Sequence, residues 1–256
     1  MTEQIASGAA GKVYTACPKC GHTPLPTQQS APVACPGCGV IFAKIGQKPA
    51  RGRRIVVEER WTEALNHVPE RVDCTAFWSR CALLAALAIW ALVLIRLDYR
   101  VGEIGESFLH RPLLVLHEAG HVVFMPFGEW MTILGGTLGQ LLMPLVMAGA
   151  LLFARQDPFG ASVGTWFLGV SLLDVAPYMV DALHPQLMLL SGTTGEEGGH
   201  DWIYLFDSMG LLARAQAIGG VTHKLGALVI LVSLAWGAWV LRRQYPRLAG
   251  DVLHGE

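Results

Sequence analysis

Residues 130–154 read WMTILGGTLGQLLMPLVMAGALLFA, a stretch of 25 positions without a charged side chain. A helix needs about 20 mostly apolar residues to cross the hydrocarbon core of a bilayer, so this stretch predicts a membrane-spanning helix. The whole chain agrees, because 52% of its 256 residues are hydrophobic and only 15% are charged. Soluble domains carry about 25% charged residues. The composition therefore argues against a purely soluble enzyme and against a disordered chain.

Three other apolar runs lie on either side of this stretch. Cys81–Ile95 is uncharged between Arg80 and Arg96, and Leu225–Leu241 is uncharged and is followed by Arg242 and Arg243. Such cations suit the headgroup region. Phe159–Leu173 is also uncharged, and its apolar character continues to Leu183 past two aspartates. Buried helices of a large soluble core are the alternative, but so short a chain has too little polar surface to cover them. We therefore expect a mainly α-helical, polytopic membrane bundle.

The basic residues predict how this bundle is oriented. Lysines and arginines are frequent before the first apolar run, and Arg242, Arg243 and Arg247 follow the last one. Positive residues favour the cytoplasmic side, so we expect both ends there, in a cell (inner) membrane. Both ends on one side require an even number of crossings, but five segments qualify when the shorter run Pro112–Gly128 is included. The amphipathic stretch Trp202–Ile218 is either the missing crossing or an interfacial helix.

The polar N-terminal part of the chain contains four of the six cysteines. They form two C-x-x-C pairs, each followed by glycine, at Cys17, Cys20, Cys35 and Cys38. This pattern is typical of a zinc ribbon, in which four thiolates surround one structural zinc ion. Disulfides are the alternative, but the cytoplasm is reducing. We assign residues 1–43 to the ribbon, 44–73 to a charged linker and 74–256 to the membrane domain.

The sequence HEAGH at residues 117–121 is an H-E-x-x-H motif in an otherwise apolar run. On a helix, His117 and His121 share one face, so both imidazoles can bind one zinc ion. Glu118 can take a proton from water that the metal activates for attack on a carbonyl carbon. Two structural histidines are the alternative, but ionisable groups are costly in an apolar segment. The motif predicts a catalytic zinc site.

A catalytic zinc ion of this kind needs a third protein ligand. Asp174 and Asp181 lie in a later apolar run, seven residues apart, and share one helical face. Pro177 lies between them and is expected to kink the helix. Spacing alone leaves both aspartates open as the third ligand.

These motifs resemble those of the site-2 protease family of intramembrane zinc metallopeptidases. That family has H-E-x-x-H in one membrane helix and takes its third ligand from a later helix, in a motif of the form N-x-x-P…L-D-G. Here Asp174 stands at the asparagine position, Pro177 matches the proline and Asp181 matches the ligand. The resemblance covers about residues 110–185. It implies that Asp181 completes the zinc site and that the substrates are membrane proteins.

The segment GTTGEEGGHDWIYLF brings two more polar residues, His200 and Asp201, before an amphipathic stretch. The pair is interpreted first as a helix start, because Asp201 suits an N-terminal cap. The alternative is that it folds over the site as a ligand, an oxyanion-stabilising group or a substrate gate. His110, His184 and His223 lie at the ends of apolar runs and are expected at the membrane interface.

The function that these residues favour is that of a zinc-dependent intramembrane peptidase. His117, His121 and Asp181 would hold the catalytic zinc ion. Glu118 would act as general base and then as proton donor. The alternatives are a non-catalytic membrane protein that binds or senses metal with the same ligands, and a scaffold whose ribbon binds a protein partner. The expected partners are the lipid bilayer, a membrane-protein substrate and a protein bound by the ribbon. A net charge of −1 argues against nucleic acid.

Overall fold

The computed structural model describes residues 16–23, 34–41 and 60–248. The chain divides into two units at Glu59 and Arg60, and the larger, C-terminal unit is a helical bundle, as the sequence predicts. The α-helices of residues 74–248 are α1 (Cys74–Arg96), α2 (His110–Phe124), α3 (Glu129–Phe153), α4 (Pro158–Asp181), α5 (Asp201–Ser208) and α6 (Ala215–Gln244).

Four helical segments of residues 60–248 are long and apolar enough to cross a membrane. They are α1, α3, α4 and the segment Leu212–Arg247, which contains α6. The predicted run Pro112–Gly128 forms the shorter helix α2, whose 15 residues extend about 22 Å, less than the roughly 30 Å of a hydrocarbon core. The stretch Trp202–Ile218 is not one helix, because α5 ends at Ser208 and α6 begins at Ala215. These four candidate spans are an even number, and both the number of crossings and the orientation stay predictions.

Helix α4 lies at the centre of the bundle, and most of its residues are buried. It runs as one helix through Pro177 and packs against α6 through facing glycines. A Cβ on Gly226 would lie only 2.8 Å from the carbonyl oxygen of Gly169, so the two backbones are in close contact. Trp166 and Ile230 fill the space beside this contact and are no more than 1% exposed. This packing provides the rigid wall on which the polar residues of α4 are placed.

Glycines also bring α2 close to α3. A Cβ on Gly139 would lie 2.6 Å from the carbonyl oxygen of Leu116, and one on Gly135 would lie 2.7 Å from that of Gly120. The contacts pair rising residue numbers on α2 with falling ones on α3, so the helices are antiparallel. The absence of side chains at this contact lets the imidazoles of α2 reach across the face of α3.

The second half of the predicted linker belongs to the helical unit. Residues 60–66 are helical, and Val72 is only 6% exposed. Arg247 donates to the carbonyl oxygens of Val68 and Pro69, at 2.9 and 2.7 Å. Asp73 then caps the N-terminus of α1 by accepting from the backbone nitrogen of Ala76. Residues 60–73 are thus part of the larger compact unit, and residues 44–59 lie outside the described residues.

Candidate metal centres

Two histidines and an aspartate meet beside α2. His117 and His121 are one turn apart, and their rings meet edge to face with centroids 4.8 Å apart. Oδ2 of Asp201 lies 2.9 Å from Nε2 of His117 and 3.3 Å from Nε2 of His121. The three atoms surround one small space.

Hydrogen bonds on the far side of each imidazole fix where its proton lies. Nδ1 of His121 is 2.8 Å from the carbonyl oxygen of Thr132, which can only accept, so His121 carries its proton on Nδ1. Nδ1 of His117 donates in the same way to Oε1 of Gln140, at 3.3 Å. In the neutral rings both Nε2 atoms therefore present lone pairs to the Asp201 carboxylate. Three acceptors that face one another repel, so either a proton or a divalent cation has to lie between them, and the hydrogen bond to Asp201 accordingly raises the pKa of His121 to about 9.

Asp174 orients His117 indirectly, through Gln140. Its Oδ2 accepts from the amide nitrogen of Gln140 at 2.7 Å, which turns the amide oxygen toward His117. Its Oδ1 lies 2.9 Å from Nδ1 of His110. Both oxygens of Asp174 are thus bound to donors, and neither contacts His117 or His121 directly. His110 is paired with this carboxylate, and its expected place at the membrane interface stays a prediction.

Asp181, the expected third ligand, is held by other residues. Its Oδ1 accepts from the backbone nitrogens of Gln186 and Leu187, at 2.8 and 3.0 Å. Its Oδ2 lies 3.2 Å from Nε2 of His200. The structure therefore does not place Asp181 beside the H-E-x-x-H histidines; Asp201 takes that position. The physical reason is that Asp181 ends α4, where the loop that follows offers it free N–H groups.

The loop before α5 delivers Asp201 to the site. Gly198 and Gly199 have φ values of +102° and +79°, which L side chains rarely adopt, and they turn the chain into the helix. His200 is the N-cap residue, since its Nδ1 accepts from the backbone nitrogen of Ile203 at 3.3 Å. Its proton is therefore on Nε2 and is donated to Asp181. The pair does lie at a helix start, but the N-cap is His200 rather than Asp201, which is the first helical residue and has its carboxylate beside the two imidazoles.

Gly136 on α3 makes room for the two imidazoles. A Cβ at this position would lie 2.5 Å from Nε2 of both His117 and His121. The backbone of α3 thus forms the floor under the three converging atoms. Only glycine leaves the space that a bound ion and its ligands need.

Glu118 completes the group on the open side. Its carboxylate, His117 and His121 offer ligand atoms that all lie within 4.8 Å of one another, and a metal ion could bind there. Glu118 is exposed and faces a cavity of about 510 Å³ that is also lined by Asp174, Tyr178 and Asp201. A carboxylate beside the convergence point and open to the cavity can exchange protons with a molecule that enters it.

The four cysteines of the N-terminal unit form a second candidate metal centre. Sγ of Cys17 lies 3.9 Å from that of Cys38, and Sγ of Cys20 lies 3.7 Å from that of Cys35. All four sulfurs are within 4.8 Å of one another, and all are free thiols. The two C-x-x-C turns have the same form, since the glycines that follow have φ values of +71° and +70°. The described part of the unit, residues 16–23 and 34–41, could hold one ion.

Thiol protonation in this cluster also points to a cation. Burial raises the pKa of Cys17, but backbone N–H groups of Cys20 and Lys19 that point at its sulfur outweigh burial and bring the pKa to about 7. The backbone of His22 lowers the pKa of Cys20, but the neighbouring Cys38 sulfur and burial raise it to about 12. One thiolate therefore forms readily and the next is opposed by its neighbours. A bound cation removes that opposition.

Three residues of the site were not singled out from the sequence: Gln140, Tyr178 and Gly136. Gln140 is the only amide side chain in the apolar stretch 130–154, which was a usable signal. The two others are ordinary residues in apolar helices, and only packing shows their position.

Comparison with known proteins found no relative. The chain matches no protein-family model, no curated protein and no solved structure.

Proposed function

We propose that this protein is a zinc-dependent peptidase embedded in a membrane, which hydrolyses peptide bonds of membrane-protein substrates. The observation that carries the proposal is the convergence of two imidazole lone pairs and the Asp201 carboxylate beside Glu118. This ligand set replaces the one implied by the sequence, with Asp201 in place of Asp181.

Zinc suits both sites by donor type and spacing. A tetrahedral zinc ion holds nitrogen and oxygen ligands roughly 3.3–3.5 Å apart, and the Asp201 oxygen lies 2.9 and 3.3 Å from the two nitrogens. Sulfur ligands lie about 3.8 Å apart around zinc, against 3.7 and 3.9 Å in the cysteine cluster. Two nitrogens and one oxygen leave a fourth position open, as in catalytic sites, whereas four sulfurs close the structural one. When bound, catalytic zinc polarises a carbonyl group and makes water more acidic.

Glu118 is the general base in this proposal. Its carboxylate takes a proton from the attacking water, whose oxygen forms a bond to the carbonyl carbon of the substrate. The C–N bond then breaks, and Glu118 returns the proton to the departing nitrogen. The products are a carboxylic acid and an amine, so one water molecule is consumed and the enzyme is unchanged.

The surface of α2 supports a membrane-protein substrate. Val115, Val122 and Val123 are 64–67% exposed on the helix that carries the catalytic motif. Apolar side chains exposed in this way suit contact with lipid. A peptide segment that reaches Glu118 along this surface would itself be apolar. We place the protein in the inner membrane with both ends cytoplasmic, and assign the ribbon to binding a protein partner.

The test is the variant Glu118→Gln, with Glu129→Gln as the matched control. Glu129 is an exposed glutamate at the start of α3. Purified full-length protein in dodecyl maltoside micelles is given fluorescein-labelled casein, and new N-termini of membrane proteins are profiled in cells that express each form. Glu118→Gln should keep both zinc ions and lose cleavage, whereas Glu129→Gln should match the wild type. Equal cleavage by wild type and Glu118→Gln would reject the peptidase, and ion binding or sensing would then be favoured.

A further inference from the structure

Tyr178 lies at the rim of the catalytic metal centre with its hydroxyl group fixed. The phenol oxygen accepts from the backbone nitrogen of Asp201 at 3.0 Å. Its ring packs on that of His200, with centroids 4.2 Å apart, and lies 6.1 Å from that of His117. The residue that binds the hydroxyl is thus the same one whose carboxylate meets the imidazoles. Tyr178 also lines the cavity that Glu118 faces.

The hydroxyl proton of Tyr178 has no acceptor within residues 60–248. An N–H group can only donate, so the bond from Asp201 uses a lone pair of the phenol oxygen and leaves its O–H as a donor. The ring cannot swing away, because it is held between α4, on which it stands, and the His200 ring of the α5 cap. A fixed donor that faces the cavity is what a developing negative charge requires.

The other donor side chains that line the cavity are engaged or distant. The buried Gln140 gives one of its two amide N–H groups to Asp174 and holds His117 through its oxygen, and the hydroxyl of Ser191 bonds that of Thr193 at 2.8 Å. His110 lies seven residues before His117 on α2, about 10 Å along the helix axis.

We propose that Tyr178 is a further catalytic residue, which donates a hydrogen bond to the carbonyl oxygen of the scissile peptide bond as that oxygen gains negative charge. The proposal rests on the peptidase function above. Removing one such donor from an enzyme costs about 100- to 1,000-fold in kcat. Because the hydroxyl does not contact the imidazoles, the metal content should not depend on it. The N–H group of Asp201 belongs to the first turn of α5, where helices leave such groups without an internal partner, so water can replace the phenol.

The test compares Tyr178→Phe with Tyr204→Phe in full-length protein. Tyr204 is an exposed residue on α5 and serves as the matched loss of a phenol hydroxyl. Casein cleavage, zinc content and the binding of acetohydroxamate to the cobalt-substituted protein are measured for each. Acetohydroxamate offers a metal-binding oxygen where the substrate carbonyl would lie, and the closed cysteine site does not respond to it.

We expect Tyr178→Phe to lower kcat about 100-fold at nearly unchanged KM and to weaken acetohydroxamate binding about tenfold, with both zinc ions retained. Tyr204→Phe should behave as wild type in all three measurements. Full activity in Tyr178→Phe while Glu118→Gln is inactive would overturn the role of Tyr178 and leave the peptidase standing. Loss of zinc in Tyr178→Phe would also overturn it, because the phenol would then serve only to hold Asp201. If wild type and Glu118→Gln prove equally inactive on casein and give the same N-termini of membrane proteins in cells, the peptidase itself fails. Equal hydroxamate affinity of wild type and Tyr178→Phe would reject the donor role independently.

Discussion

Replacing Asp201 with alanine should empty the membrane metal site, whereas replacing Asp181 with asparagine should only weaken it. The Asp201 carboxylate touches both imidazole nitrogens, at 2.9 and 3.3 Å, so its loss removes one of three ligands. Asp181 affects the metal site only indirectly, because it binds His200, the residue before Asp201. The two substitutions therefore separate a ligand from a residue that positions it.

The size of each effect follows from the bonds that are lost. In Asp181→Asn the remaining oxygen can still accept from the backbone nitrogens of Gln186 and Leu187, but the new amide group opposes the Nε2–H of His200. Outer residues that orient metal ligands contribute about 10- to 100-fold in affinity, and we expect a loss in that range. Asp201→Ala should exceed it, with a loss of at least about 100-fold.

The assay is zinc content per chain after dialysis in detergent, followed by competition with a fluorescent chelator. Wild type should retain two zinc ions, one for each site, and Asp201→Ala only the one bound by cysteines. Asp207→Ala, an exposed aspartate on the same helix as Asp201, is the control for helix α5 and should keep both. A fully loaded Asp201→Ala protein, or an Asp181→Asn protein with an empty membrane site, would refute the assignment of the third ligand.

Two further predictions use the same zinc measurement. Gly136→Ala should expel the membrane-site ion, because its Cβ would lie 2.5 Å from both Nε2 atoms, whereas Gly149→Ala on the same helix has open space and should be silent. An unchanged zinc content in Gly136→Ala would contradict the packing described for α3. Changing Cys17 and Cys20 to serine should release the ribbon ion and leave the membrane site loaded, and loss of both ions would show that the two sites depend on each other.

The parts of this protein that the sequence predicts well are those determined by local pattern. Runs without charge predict the long helices α1, α3 and α4, because an apolar helix of that length has few alternatives to a membrane. Each C-x-x-C-G turn is equally local, since the nitrogen of Cys17 bonds the oxygen of His22 and that of Cys35 bonds the oxygen of Val40. H-E-x-x-H places two imidazoles on one helical face through helix geometry alone.

The third ligand was not predictable in this way, because it depends on which distant acid reaches the histidines. Asp174 and Asp181 share a face of α4, but Gln140 and His110 occupy the first and His200 the second. Side chains on other helices and the glycine turn after residue 197 determine which acid lies beside the histidines. His200 and Asp201 are adjacent, yet His200 caps α5 and Asp201 lies beside the two imidazoles. Sequence periodicity does not predict which of the two takes which position.

The partners of the three buried or half-buried acids distinguish Asp201 from the other two. Carboxylates in an apolar helical bundle are costly unless each is bound to a donor or a cation. Asp174 accepts hydrogen bonds from an amide and an imidazole. Asp181 accepts them from two backbone N–H groups and from His200. Asp201 instead faces two nitrogens whose protons lie on the opposite side of their rings. The Asp201 carboxylate therefore needs either protons on those two nitrogens or a cation between them, whereas Asp174 and Asp181 are already bound to donors, and the proposed zinc ion supplies that cation.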